Sequence, residues 1–159
     1  MMGALVGGFL LGVDKLLNIT YKQNALTPKV FADMRELAGW GVTSIQKAET
    51  AIKNTPFSIV AFDNDTVVGI GRIIGDGALI WYIQDVVVLP KYRGRGIGTT
   101  IVKHLINYAK ANSLQGERFT IGLMSTNGNE AFYQRLGFRT MPNEDKGHGM
   151  EMYVFAFNL

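Results

Sequence analysis

Between residues 57 and 89 the chain runs through three apolar stretches separated by two short polar turns, Asp63-Asn64-Asp65 and Gly75-Asp76-Gly77. Asn, Asp and Gly are the residues that accept the backbone of a tight turn, so residues 57–62, 67–74 and 78–89 are predicted to be strands of an antiparallel meander. The third stretch is long and mostly apolar, as a buried strand would be.

The sequence on either side reads as helices and further strands. A strand-like ITYKQ begins at Ile19, and Thr27-Pro28 opens a helix in which Val30, Phe31, Met34, Leu37 and Ala38 recur at helical spacing until Gly39. Thr43 and Gln46 form a capping box for a second helix carrying Ile45, Ala48 and Ile52, which ends before Pro56. Past the meander, residues 97–111 place Ile101, Val102, Leu105, Ile106 and Ala109 on one helical face. Residues 118–124 read as a strand, 129–136 as a short helix, and 138–141 and 150–157 as the last two strands.

Composition narrows the classes of function. A chain of 159 residues with 47% hydrophobic residues fits one domain, taken as residues 18–159, without staples. It contains no cysteine, which excludes disulfides, thiolate metal sites and cysteine nucleophiles and is compatible with a reducing compartment; the expectation is a cytoplasmic protein. A net charge of +3 permits an anionic ligand but falls short of a polybasic nucleic-acid tail. Residues 1–17 read as an apolar extension of unknown role. Their apolar run is too short for a ~30 Å bilayer core and lacks the basic lead of a secretory signal, so no membrane partner is expected.

The most informative segment is Val86-Val87-Val88-Leu89-Pro90-Lys91-Tyr92-Arg93-Gly94-Arg95-Gly96-Ile97-Gly98-Thr99, a strand that passes through a glycine turn into a helix. Glycines let a backbone approach a ligand closely, and the amides at a helix start favour phosphate. The spacing Gly94, Gly96, Gly98 lacks the third glycine of a dinucleotide fingerprint, and no Gly-Lys-Ser/Thr occurs, which disfavours a nicotinamide or nucleoside triphosphate site. On its own the turn is equally a tight connection with solvated basic residues.

The pattern R-x-x-G-x-G, here Arg93 to Gly98, after a V-x-V-x-P strand is followed about forty residues on by Asn129-Glu130-Ala131-Phe132-Tyr133-Gln134-Arg135-Leu136-Gly137-Phe138-Arg139. With the element order from Ile19 to Phe157, these motifs resemble the GCN5-related N-acetyltransferase family. The resemblance implies an α/β (α+β) fold of the acyl-CoA N-acyltransferase type: a mixed, twisted sheet of six or seven strands, helices on both faces, splayed between the fourth and fifth strands. It implies that acetyl-CoA is the co-substrate. Arg93 and the amides of Gly94, Arg95, Gly96, Gly98 and Thr99 would hold its pyrophosphate, the main chain of Val86 and Val88 would pair with pantetheine, and Asn129 would lie near the pantetheine or the leaving sulfur. Homodimers are common in such proteins, and the apolar first segment or the last strand could supply an interface.

Acetyl transfer to an amine needs a neutral nucleophile, a stabilised oxyanion and a proton for the departing thiolate. With no cysteine and no evident Ser-His pair, direct attack in a ternary complex is the economical route. By resemblance Tyr133 is the general acid; read from the residues alone it is a core aromatic on a short helix, beside Phe132 and Leu136. The position where several relatives carry a carboxylate base is Tyr82. Asp85 is the nearby candidate base or amine anchor, although strand alternation sets it opposite Tyr82, Gln84 and Val86 unless a bulge re-aims it. A water chain through Tyr82 and Gln84 is the competing route. Acceptor choice is expected from Phe31, Glu36, Trp40, Trp81, Tyr82, His148, Met150 and Glu151, a set that suits a cationic or arylalkyl amine. His104 reads as structural, and no cluster has metal-ligand spacing.

The expectation is therefore an acetyl-CoA-dependent N-acetyltransferase acting on a primary amine of a small molecule. Protein or peptide acetylation and a non-catalytic acyl-CoA sensor are the alternatives. Nucleic-acid binding is disfavoured, because Lys91, Arg93 and Arg95 are too few.

Overall fold

The computed structural model describes residues 18–155. The apolar extension at 1–17 and the end of the last expected strand lie outside the described residues. Strands β1 (Ile19–Gln23), β2 (Phe57–Asp63), β3 (Thr66–Gly75) and β4 (Ile80–Val88) pair antiparallel in sequence order, and β5 (Thr120–Gly122) adds to β4 in parallel. The meander thus forms with the turns the sequence indicates. At the first, Asn64 takes φ 53°. At the second, Asp76 Oδ1 accepts from the amides of Ala78, Leu79 and Ile80 at 2.9, 2.9 and 3.0 Å, and these bonds, Ile80 first, hold its carboxyl below the ordinary value of 3.8.

Two helices lie between β1 and β2. Helix α1 (Pro28–Leu37) starts with Pro28 in its first turn, and Thr27 Oγ1 accepts from the Val30 amide at 3.2 Å. In α2 (Ile45–Lys53) the cap is Ser44, whose Oγ accepts from the Lys47 amide at 3.2 Å, and not the expected Thr43. The Thr43 hydroxyl instead accepts from Arg35 Nε at 3.2 Å. Helix α3 (Ile97–Ala111) covers the opposite face, and α4 (Glu130–Gln134) follows β5.

Apolar side chains on the two faces of the sheet make two cores. On one, Ile59, Val68, Ile73, Trp81 and Ile83 meet Ile97, Ile101, Val102 and Leu105 of α3. On the other, Val60, Ile70 and Val87 meet Phe31 and Met34 of α1 and Ala48 of α2. Trp81 is fixed by its indole Nε1, which donates to Ser113 Oγ at 2.8 Å, and by edge contact with Tyr108. Gly71 lets α3 approach: an added Cβ would lie 2.5 Å from Ile101 and 3.2 Å from Leu105.

The fold is α+β with a mixed sheet and helices on both faces, but the expected strand count is not reached. Five strands form among the described residues. Residues 138–141 are irregular, leading into a tight loop held by the Asn143–Lys146 bridge and an exposed Arg139–Asp145 ion pair. Residues 150–154 are exposed and fall in no strand among the described residues. The sequence reads residues 138–141 as a strand, yet a strand also needs a partner edge, and β5 is only three residues long. Among the described residues no helix is long and apolar enough to cross a membrane.

Candidate cofactor and active site

Strand β4 leaves the sheet at Val88 and enters α3 through a short 3-10 turn, Pro90–Tyr92, and the glycine segment. The turn is pinned from beneath: Tyr92 is buried, and its hydroxyl donates to Asp63 Oδ2 at 3.0 Å. Gly94 and Gly96 take φ 74° and 80°, and Gly96 is the residue from which α3 starts. A Cβ at either position would meet nothing within 4 Å. The glycines are therefore needed for the sign of φ and leave the space above the turn open. At the start of α3 the first N–H groups, Gly98 and Thr99 among them, have no carbonyl one turn back, and Lys91, Arg93 and Arg95 stand exposed around them. Arg93 folds back, its Nε donating to the Val88 carbonyl at 3.1 Å.

Two features of β4 bear on the pantetheine expectation. Its pairing with β5 covers Ile80 to Tyr82 only, so Val86 and Val88 lie beyond the last β4–β5 pair. Its register against β3 shifts by one residue between Ile70 and Arg72, which sets Asp85 and Val86 together opposite Gly71. Asp85 itself has φ 51°. The bulge does re-aim Asp85: its carboxylate turns to the α1 side, where Oδ2 accepts from Arg72 Nε at 2.6 Å and Oδ1 from Arg35 Nη1. With both oxygens engaged and a side chain 1% exposed, it has no open approach for an amine.

Tyr133 sits on α4 in edge contact with Phe132 and Phe138, at centroid distances of 4.8 and 5.9 Å, and burial pushes its phenol above the ordinary value of 10.0. It lines a cavity of about 1020 Å³ with residues of β5, Met124, Ser125 and the loop as far as Gly149. The glycine turn does not line that cavity. Phe132 of α4 packs at the start of α3, its ring 3.4 Å from where a Cβ on Gly98 would stand. Asn129 precedes α4, exposed, its carbonyl accepting from the Phe132 amide at 3.1 Å.

Of the residues expected to choose the acceptor, Tyr82 is half-buried, with burial raising its phenol, and its ring packs where a Cβ on Gly122 would come within 3.1 Å. Gln84 stands opposite Arg72 in the register. Trp40 is 38% exposed, with the Arg35 guanidinium 5.4 Å from its ring. Phe31 and Trp81 are core residues, whereas Glu36, His148, Met150 and Glu151 are exposed. His104 lies against Tyr21, as a structural residue would. Among the described residues no group of three His, Asp or Glu side chains could hold a metal ion. Sequence reasoning missed Arg35 and Arg72. The available signal was Arg72, a single charge inside the apolar run Thr66–Gly75.

Comparison with known proteins is consistent with this geometry. Residues 20–138 match the model of the acetyltransferase (GNAT) family. An uncharacterised N-acetyltransferase, ycf52, of Pyropia yezoensis is 31% identical over 113 residues, covering 69% of this chain. The chain spans 63% of that relative's length. The crystal structure of a probable acetyltransferase from Staphylococcus aureus superposes with a TM-score of 0.75 at 27% identity, covering 86% of this chain and 99% of the other. A GNAT family acetyltransferase from Streptococcus pneumoniae gives 0.71 at 27% identity, covering 85% and 98%. The strand, glycine turn and helix at residues 86–99 thus fall inside the matched region, and the chain belongs to the acetyltransferase (GNAT) family.

Proposed function

We propose that the protein is an acetyl-CoA-dependent N-acetyltransferase whose acceptor is a primary amine of a small cationic or arylalkyl molecule. The observation that carries this reading is the passage from β4 into α3. Left-handed Gly94 and Gly96 leave open space beside the start of a fifteen-residue helix, and Arg93 and Arg95 supply positive charge there. These residues fit a diphosphate, with the amides of Gly94, Arg95, Gly96, Gly98 and Thr99 as its donors. Val86 and Val88, beyond the last β4–β5 pair, offer main-chain groups to a pantetheine arm, and Asn129, just before α4, is assigned to the pantetheine or the leaving sulfur. Acetyl-CoA supplies the acetyl group as a reactive thioester.

The residues then divide the proton work. Tyr133, kept protonated by burial, is suited to deliver a proton to a departing thiolate. Asp85 is engaged by two guanidinium groups, so removal of the amine proton falls to water ordered by Tyr82 and Gln84. Trp40 shapes the acceptor side. No covalent enzyme intermediate is called for, and amine and acetyl donor meet in a ternary complex. A homodimer is part of the reading, supported by the exposed Met150, Met152, Tyr153 and Val154, and a cytoplasmic setting suits a chain without cysteine.

One observation favours a second reading, a non-catalytic acyl-CoA sensor: Tyr82 replaces the expected carboxylate, and Asp85 is occupied. Thermal melting with acetyl-CoA, CoA, NAD and ATP tests the ligand, since a ligand at 100 times its Kd adds about 2.7 kcal/mol. A rise with acetyl-CoA and CoA alone supports the site; no rise with either refutes it. Thiol release over panels of small amines and of lysine peptides then separates small-molecule transfer, peptide transfer and sensing.

A further inference from the structure

Asp85 is a carboxylate with a side chain 1% exposed, placed at the single register shift of β4 and held in the left-handed backbone region at φ 51°. Two arginines meet it there. Arg72 of β3 donates Nε to Oδ2 at 2.6 Å and Nη1 to Thr55 Oγ1, just past α2, at 3.2 Å. Arg35 of α1 donates Nη1 to Oδ1 and Nε to Thr43 Oγ1, in the α1–α2 connection, at 3.2 Å. The Phe31 ring lies 5.6 Å from the Arg35 guanidinium and 5.3 Å from that of Arg72. One carboxylate therefore ties α1, the α1–α2 connection, the segment after α2 and β3 to the bulge in β4.

The chemistry gives this junction a direction. Two guanidinium groups close to one another are tolerable only with an anion between them, and both oxygens of Asp85 are used for that purpose. Left-handed backbone is uncommon outside glycine though open to Asp, and here the Asp85 side chain is anchored at two points. The next peptide in the chain is Val86. Without that anchor the extra residue of the bulge would take other conformations and turn the main-chain groups of Val86 and Val88 relative to the end of the sheet.

We propose that Asp85, clamped by Arg35 and Arg72, is a positioning residue that aims the main chain of Val86 and Val88 at the pantetheine arm of acetyl-CoA. It rests on the acetyl-CoA reading above and assigns Asp85 no proton transfer. Because Arg35 also contacts Thr43 and lies against Trp40, the same clamp joins the donor strand to the acceptor-side connection.

The test compares two ligands on the full chain by calorimetry: acetyl-CoA, and 3′-phosphoadenosine 5′-diphosphate, which carries the diphosphate but no pantetheine. Asp85→Asn keeps the size of the side chain and a residue type that accepts positive φ while removing the charge. Its Kd for acetyl-CoA should rise about tenfold or more, with the nucleotide changed by less than about twofold. Arg35→Met should shift the same ligand in the same direction, and Arg35→Lys should restore part of the loss. Arg35 is 27% exposed and its loss leaves Asp85 paired with Arg72, so this pair decides the matter if Asp85→Asn fails to fold. Unchanged acetyl-CoA affinity, or an equal loss on both ligands, overturns the clamp. A wild-type protein that binds neither ligand overturns the acetyl-CoA reading itself, and the clamp with it.

Discussion

The hydroxyl of Tyr92 donates to Oδ2 of Asp63 at 3.0 Å, fastening the glycine turn to the end of β2. Tyr92→Phe removes that bond and leaves Asp63 its contacts with the Asn18 amide and the Asn64 side chain. Urea unfolding should show a loss of about 1 kcal/mol. A loss indistinguishable from zero would mean that packing of the ring alone holds the turn.

Gly96 starts α3 at φ 80° with open space around it. Gly96→Ala should therefore cost about 1 to 2 kcal/mol through the backbone and not through collision. Acetyl-CoA binding should weaken in the same variant. Gly96→Asn should cost less on both readouts, because Asn tolerates the left-handed region.

Tyr133→Phe should leave acetyl-CoA affinity near the wild-type value and lower kcat by about 10²-fold. Burial raises this phenol above 10.0, so the acid form persists through neutral pH, and any alkaline fall of kcat that it causes lies above pH 10. Single-turnover kinetics across pH check this. Full activity in Tyr133→Phe would remove the residue from the mechanism.

Gly71→Ala pushes a methyl against Ile101 and Leu105 beneath the β4 bulge. Overpacking of this kind costs about 1 to 3 kcal/mol, readable as a lower midpoint in chemical unfolding. A second change, Ile101→Ala, makes room for the added methyl, so the double variant should lose less than the two single losses combined.

Asp76 has a folded-state pKa below its unfolded value of 3.8, because three amides bond its carboxylate. Its contribution to stability is fully present above the unfolded value and is lost as pH falls through the folded one. The gap in melting temperature between wild type and Asp76→Ala should hold steady at neutral pH and narrow below pH 3.8. A gap that stays constant to pH 2 would contradict the assignment.

Local signals made much of this legible. Apolar runs bounded by Asn, Asp and Gly located β2, β3 and β4 closely, and the helical spacing of Ile101, Val102 and Leu105 marked α3, whose observed bounds are Ile97–Ala111. What failed depends on distant partners. Thr43 and Ser44 are adjacent hydroxyl residues with equal local claims to cap α2. Arg35, eight residues earlier, takes the Thr43 hydroxyl and leaves the cap to Ser44. Asp85 read as a candidate base because its partners Arg35 and Arg72 lie 50 and 13 residues away. Residues 138–141 read as a strand in the sequence, but a strand-like stretch does not supply its own edge to pair with.

The topology also orders events in time. Every pairing from β2 to β4 joins strands linked by a tight turn, so each loop to be closed is short. The parallel pairing of Ile80 with Thr120 must wait for the chain to travel through α3 and back, and it is only three residues long. In pulse-labelled refolding, the amides of β2 and β3 should gain protection before those of Thr120, Ile121 and Gly122. Of the two pairings that β4 makes, the one with β5 is thus the later to form, and native-state exchange should find it the first to reopen.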